Sequence, residues 1–267
     1  MELLKNKKKS VVIGMIHLAP LDGCEGHPGF EVVKLKMIRD LEVLLAGKVD
    51  AIIIENNYDL PHYEKALKST VPQFEELSKE LRKRTDLPLG ISLLWNDFEN
   101  ALDIAKKHNF QFIRVPVFVD RVKTSYGIFE PKAKECIDYR EKIGAEHIGL
   151  MADIQVKHAE HLIERSIAEA AKEAVEKGAD ALIVTGKWTG DPPTKKDVED
   201  VQTISGDVPV VLGSGVTAEN INNYDVHGVI VGSYFKGDER KFEHEQNLYP
   251  WEVAYDIERV KKLTQAV

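Results

Sequence analysis

Apolar residues gather in eight short runs, at 11 to 18, 51 to 56, 88 to 94, 111 to 118, 148 to 155, 181 to 186, 208 to 213 and 228 to 234, each rich in Val, Ile and Leu. None shows sustained polar alternation, which predicts strands buried on both faces, as in an all-parallel sheet. Between the runs the apolar positions recur at helical spacing. Phe98, Ala101, Leu102 and Ala105 make one stripe, and Ile163, Ile167, Ala170, Ala171 and Ala174 another, with charges on the opposite side. Residues 46 to 54 and 177 to 184 echo each other, each placing a glycine (Gly47, Gly178) where a helix should stop and a strand begin. Eight such units predict an α/β fold, a closed (β/α)8 TIM barrel, over an open doubly wound sheet. The G-x-G-x-x-G fingerprint expected in the first turn of a dinucleotide-binding sheet is absent.

No Pro/Gly/Ser-rich linker divides the chain, so residues 1–267 read as a single TIM-barrel domain, with 1–10 as a flexible or N-terminal capping segment. The stretch from Leu18 to Phe30, punctuated by Pro20, Gly23, Gly26, Pro28 and Gly29, reads as the first loop on the catalytic face, and Tyr58 to Thr70 as a second lid there.

A composition of 43% hydrophobic and 30% charged residues suits one large core. The net charge of -8 gives no general attraction to nucleic acid or anionic lipid, so a bound phosphate must rely on local donors. Two cysteines, Cys24 and Cys136, suggest a reducing compartment, and the expected location is cytoplasmic. Lysines at 5 and 7–9, an apolar stretch and Leu21-Asp-Gly-Cys24 have a faint likeness to an export signal, but His17, Pro20 and Asp22 oppose it. No run reaches the roughly 20 apolar residues of a spanning helix, so membrane association, if any, is expected to be peripheral. Barrels with exposed helix faces often associate, which makes a homo-oligomer the expectation.

Candidate chemistry is concentrated in two places. Val208-Pro-Val-Val-Leu-Gly-Ser-Gly-Val-Thr217 and His227-Gly-Val-Ile-Val-Gly-Ser-Tyr-Phe235 are apolar runs ending in Gly-Ser, with room between them for about one short helix. The last two strands of a barrel have this form when their loops hold a phosphate. Gly213, Gly215 and Gly232 admit close backbone approach, Ser214 and Ser233 add hydroxyls, and a helix after Gly215 would aim its first N–H groups at the anion. A small phosphorylated ligand is the expected partner.

The other place is the set of polar residues where strands end: His17, Glu55, Asn56, Asn96, Asp97, Asp153, Gln155, Lys157, His158, Thr185, Gly186 and Lys187, with Arg114 inside the fourth run. His17 reads as a hydrogen-bonded histidine or as a ligand-contacting or proton-transferring one. Glu55 and Asp153 are either paired with Arg114 or a lysine, or supply a general base. Lys157 and His158 belong to the site or to a solvated loop. Asn96-Asp97 fits a helix cap before Phe98 better than a catalytic pair. A divalent metal on His17, Glu55, Asp153 and His158 is the weaker reading, because no local ligand spacing supports it, and no other cofactor is expected. A Schiff base at Lys187 is the weaker reading of Thr185-Gly-Lys-Trp-Thr-Gly190, which reads more simply as a mobile lid leading to a capped helix.

Together Val12-Ile-Gly-Met-Ile-His-Leu-Ala-Pro-Leu21, Ile52-Ile-Ile-Glu-Asn56, Trp95-Asn-Asp97, Ala152-Asp-Ile-Gln-Val-Lys-His-Ala159, Thr189-Gly-Asp-Pro-Pro-Thr194 and Leu212-Gly-Ser-Gly-Val-Thr217 resemble the BtpA/SgcQ family. The resemblance implies a TIM barrel of the ribulose-phosphate-binding type. The family's recurrent positions fall on His17, Glu55, Asn56, Asp153, Lys157 and His158. Cyanobacterial members are linked to photosystem I biogenesis and peripheral thylakoid association, others to sugar metabolism. The expected function is therefore an isomerase, epimerase or lyase acting on a small phosphorylated sugar or nucleotide-derived metabolite, with a non-catalytic assembly factor for a membrane complex as the alternative. Asp22, Val115-Pro-Val-Phe118 and Lys187-Trp188 depart from the family pattern in loops that set specificity.

Overall fold

Each Val/Ile-rich run is apolar on both faces, and closing the strands on one another buries both: one in the lumen, the other beneath helices. The computed structural model describes residues 1–5, 9–237 and 247–267. Its barrel strands are β1 (Val11–His17), β2 (Ala51–Glu55), β3 (Leu89–Ser92), β4 (Phe112–Val115), β5 (Gly149–Ile154), β6 (Ala181–Val184), β7 (Val210–Leu212) and β8 (Gly228–Val231). Every pair is parallel and the circuit closes between β8 and β1. The chain is thus a single-domain TIM barrel, as expected. The third and fourth strands stop short of their apolar runs, and Leu94 and Val117 beyond them pack beneath loops.

A short α1 (Glu2–Lys5) precedes the barrel; α2 (Phe30–Ala46), α3 (Thr70–Arg82), α4 (Phe98–Lys107), α5 (Ala133–Lys142), α6 (Ile167–Glu176), α7 (Lys195–Ser205) and α8 (Ile257–Ala266) surround it. The short helix expected after Gly215 is not there: the seventh unit has only a 3-10 turn, Ile221–Asn223. The Asn220 side chain accepts from Thr217 N–H and donates to the Gly215 carbonyl (2.9 and 2.8 Å), so it competes with a helical ladder.

Alternate residues of the strands fill the lumen. Val11, Ile13, Met15, Ile53, Phe112, Met151, Ile183, Val211 and Ile230 form one apolar cluster. Phe112 lies against Gly90, where a Cβ would sit 2.0 Å from its ring. From below, Leu4 joins this cluster and Met1 and Leu3 pack on it, so the first turn of the chain closes the barrel floor. The capping segment expected over 1–10 also spans residues 6–8, which lie outside the described residues. At the other end the alternation continues into a polar layer: His17, Glu55, Ser92, Arg114, Asp153, Thr185, Gly213 and Gly232. Above it lies a small antiparallel sheet of Val122–Thr124, Gly127–Phe129 and Glu160–His161, which the sequence reading did not anticipate. Its Val122 and Phe129 pack on Leu94, Trp95 and Val156.

Candidate active site

The polar layer is a linked chain of charges. His17 Nε2 stands 3.5 Å from Glu55 Oε1, and Glu55 Oε2 stands 3.5 Å from Arg114 Nη1. Arg114 then grips Asp153 with two bonds, Nε to Oδ1 at 2.8 Å and Nη2 to Oδ2 at 2.7 Å. Burial opposes the Arg114 charge, but Asp153 and then Glu55 outweigh it, so the guanidinium is held firmly protonated. His17 is driven the other way. Burial, reinforced by Lys236, Lys36, Lys157 and Arg114, holds its imidazole neutral, well below the usual histidine range. Its carbonyl accepts from Lys36 Nζ, which also donates to Asp40 at 2.5 Å.

His17, Glu55, Arg114, Gly213 and Gly232 of this layer line a cavity of about 170 Å³ at the C-terminal ends of the strands, where chemistry in this fold is found. The two Gly-Ser bends, Gly213 to Gly215 and Gly232-Ser233, stand side by side on the wall above β7 and β8. They are at the same end as His17 and Glu55, as the sequence reading required. Their glycines also serve packing: a Cβ at Gly213 would lie 2.6 Å from Ile183, at Gly232 2.7 Å from His17 Cε1, and at Gly215 2.1 Å from Pro192 N. Ser214 needs a correction. Its hydroxyl accepts from Gly186 N–H and donates to the Asp191 carbonyl, both at 2.8 Å, so it ties down the 186–191 loop rather than offering itself to an anion. Ser233 lines the cavity, half-buried, with no side-chain hydrogen bond among the described residues.

Lys157 and His158 also line this cavity and do not lie on a solvated loop. Burial, then the neighbouring Arg114, pushes Lys157 down to about 8, while Glu55, Asp153 and Asp191 work against the shift. His158 Nε2 accepts from Thr189 N–H at 3.2 Å and lies 2.7 Å from Thr189 Oγ1, its ring against Trp188. Burial and Lys157 push it down to about 3, so it is a neutral brace between two loops. Asn56 turns away from the cavity: its side chain donates to Asp59 and accepts from Leu94 N–H, holding the Tyr58 to Thr70 loop against β3. Asp97 caps α4 through Asn100 N–H, and Lys187 is exposed. The four-residue metal set separates, with Asp153 on Arg114 and His158 on Thr189.

Arg114 is the partner expected for Glu55 and Asp153, while Trp95 and Lys236 were not expected to contribute. Arg114 organises both carboxylates, Trp95 stacks on Phe129 (centroids 5.5 Å apart) in the wall, and Lys236 stands behind His17, donating to Tyr58 Oη at 2.9 Å. Arg114 shares strand parity with Asp153 and so could have been placed from the alternation. Lys236 carries no such signal.

A closed eight-stranded parallel barrel with its polar groups at the C-terminal strand ends is a TIM barrel. The chain belongs to the BtpA family, whose profile matches residues 7–267. An uncharacterized protein of Pyrococcus horikoshii is 36% identical over 260 residues, covering 96% of this chain and 95% of its own. The photosystem I biogenesis protein BtpA of Synechocystis is 34% identical over 230 residues, covering 84% and 80%. Among solved structures, N-(5'-phosphoribosyl)anthranilate isomerase of Pyrococcus furiosus superposes with a TM-score of 0.55 at 15% identity, over 97% of this chain and 98% of that one. The tryptophan synthase complex of the same organism gives 0.59 at 18%, over 96% and 98%. These structural likenesses establish the fold. No helix among the described residues is long and apolar enough to cross a membrane.

Proposed function

We propose that the protein is an enzyme that holds a small phosphorylated metabolite at the barrel mouth and moves a proton there, in an isomerase, epimerase or lyase reaction. The observation that carries this reading is the shared cavity: His17, Glu55 and Arg114 below, with Asp153 holding Arg114 from behind, Lys157 at the side, the Gly232-Ser233 bend on the wall. Glu55 suits a proton-accepting role better than Asp153. Both Asp153 oxygens are engaged by Arg114 at short distance, which makes them weak acceptors, whereas Glu55 meets its neighbours only at 3.5 Å. Neutral His17 is fitted to donate a hydrogen bond to an oxygen gaining negative charge.

The test is a thermal-shift screen of the full chain against inorganic phosphate and sugar phosphates, where a ligand at ~100 times its Kd adds roughly 2.7 kcal/mol of stability. Absence of any shift with every phosphate compound overturns the reading. With a substrate in hand, Glu55→Gln is expected to keep binding while turnover falls about 10²- to 10⁴-fold. Asp153→Asn is expected to act on the fold instead, leaving Arg114 half-paired in the interior at a cost of about 3–5 kcal/mol in denaturant titration.

A further inference from the structure

Two lysines in the neighbourhood of the barrel mouth have depressed proton affinity, and their surroundings differ. Lys236 is committed: its ammonium donates to Tyr58 Oη at 2.9 Å, lies 5.2 Å over the Tyr58 ring, and is absent from the cavity lining. Tyr58 in turn donates to the Tyr249 carbonyl at 2.6 Å, so this network is closed. Lys157 is not committed. It lines the cavity, half-buried, and its ammonium makes no hydrogen bond or ion pair among the described residues. The carboxylates that would normally hold it are occupied: Asp153 by Arg114 through both oxygens, Glu55 between His17 and Arg114. A primary amine facing a small cavity without a partner is in the condition that carbonyl chemistry requires.

We infer that Lys157 is a nucleophile that forms an imine with the carbonyl carbon of a phosphorylated aldehyde or ketone seated in this cavity. This rests on the phosphate reading above and narrows it to carbonyl-bearing substrates. The neutral amine adds its lone pair to the carbonyl carbon, and the carbonyl π pair moves to oxygen. The resulting carbinolamine loses that oxygen as water, so one C–N double bond replaces one C–O double bond, and a proton taken up from solvent leaves the imine cationic. The cationic imine then accepts the electron pair released when a proton leaves the adjacent carbon, giving an enamine; reprotonation and hydrolysis return Lys157 and product. No oxidant or reductant is consumed. The groups that set the charge of Lys157 are Arg114, which favours the neutral amine, and Glu55, Asp153 and Asp191, which oppose it; burial favours it most. Lys187, the lysine that the loop sequence made conspicuous, is exposed and absent from the cavity lining.

The test uses pyridoxal 5'-phosphate, which joins an aldehyde to a phosphate, on the full chain, followed by borohydride reduction and peptide mapping. The expected result is one saturable label on Lys157, suppressed by inorganic phosphate, with a labelling rate that rises through a midpoint near pH 8. Lys236 and Lys187 are expected to be labelled at least about ten-fold more slowly. Lys157→Arg is expected to lose the label while its thermal shift with inorganic phosphate persists, because the charge remains and the nucleophile does not. Dihydroxyacetone phosphate with cyanoborohydride should add its reduced mass to the same peptide. If phosphate compounds stabilise the protein but Lys157 is labelled no faster than surface lysines, the imine is overturned and the phosphate reading stands. If pyridoxal without its phosphate labels Lys157 as fast and inorganic phosphate gives neither protection nor a shift, the imine stands and the phosphate reading falls.

Discussion

The two Gly-Ser bends look alike in sequence and do different work in the structure. At the first, Gly215 has φ +65° and lies so close to Asp191 and Pro192 that a side chain has no space, and the Ser214 hydroxyl is spent on Gly186 and Asp191. At the second, Gly232 gives room to the His17 ring, and Ser233 is left available to the cavity. One bend fastens a loop and the other borders the chemistry. Similar motifs on neighbouring strands are therefore not equivalent: both border the cavity, but only the second leaves its serine hydroxyl uncommitted among the described residues.

Substitutions test this asymmetry most severely at the glycines. Gly215→Ala combines a left-handed backbone with contact against backbone atoms that cannot rotate away, and is expected to cost about 3–5 kcal/mol in denaturant unfolding. Gly232→Ala meets the tip of a side chain, and about 1–3 kcal/mol is expected, together with weakened ligand binding as His17 is displaced. Equal losses at the two positions would erase the distinction.

The second bend runs through a 3-10 turn, Ser233–Lys236, into a buried ammonium, so stability on that side depends on pH. Burial, then Lys36, pushes Lys236 down to about 7, whereas an unfolded lysine titrates near about 10.4. Between those values the unfolded chain binds more protons than the folded one. Stability should therefore rise with pH across that window, by up to about 1.4 kcal/mol per unit from this group, and the gain is lost as pH falls through the folded value. Lys236→Met is expected to flatten the rise in a pH series of denaturation curves.

The serines give the smallest and most discriminating contrast. Ser214→Ala should cost about 1–2 kcal/mol by stranding Gly186 N–H and the Asp191 carbonyl, with phosphate affinity little changed. Ser233→Ala should leave stability within about 0.5 kcal/mol while weakening phosphate binding several-fold in calorimetry. The reverse pattern would transfer the anion to the first bend.

Much of this could be read in advance from residue patterns, because eight apolar runs and helical stripes report burial directly. His17, Glu55, Lys157 and the second bend were identifiable for the same reason: polar or glycine residues at the ends of apolar strands have few other uses. The pairing of Glu55 and Asp153 with Arg114 was among the readings, but the direction of neighbouring side chains was not. Asn56 adjoins Glu55 in sequence, but a one-residue step in a strand reverses the direction of a side chain, and it faces Asp59 and Leu94. The lid sheet escaped notice because its strands are two or three residues long and its third member comes more than thirty positions after its second. The missing seventh helix turned on one side chain, Asn220, competing for backbone groups.

Among the described residues, Met1, Leu3 and Leu4 seal the far end of the lumen, so the cavity opens at the strand ends. Whatever the cavity holds must enter and leave by that opening, beside the lid sheet and the loop that Ser214 fastens, so exchange is tied to how these covers part.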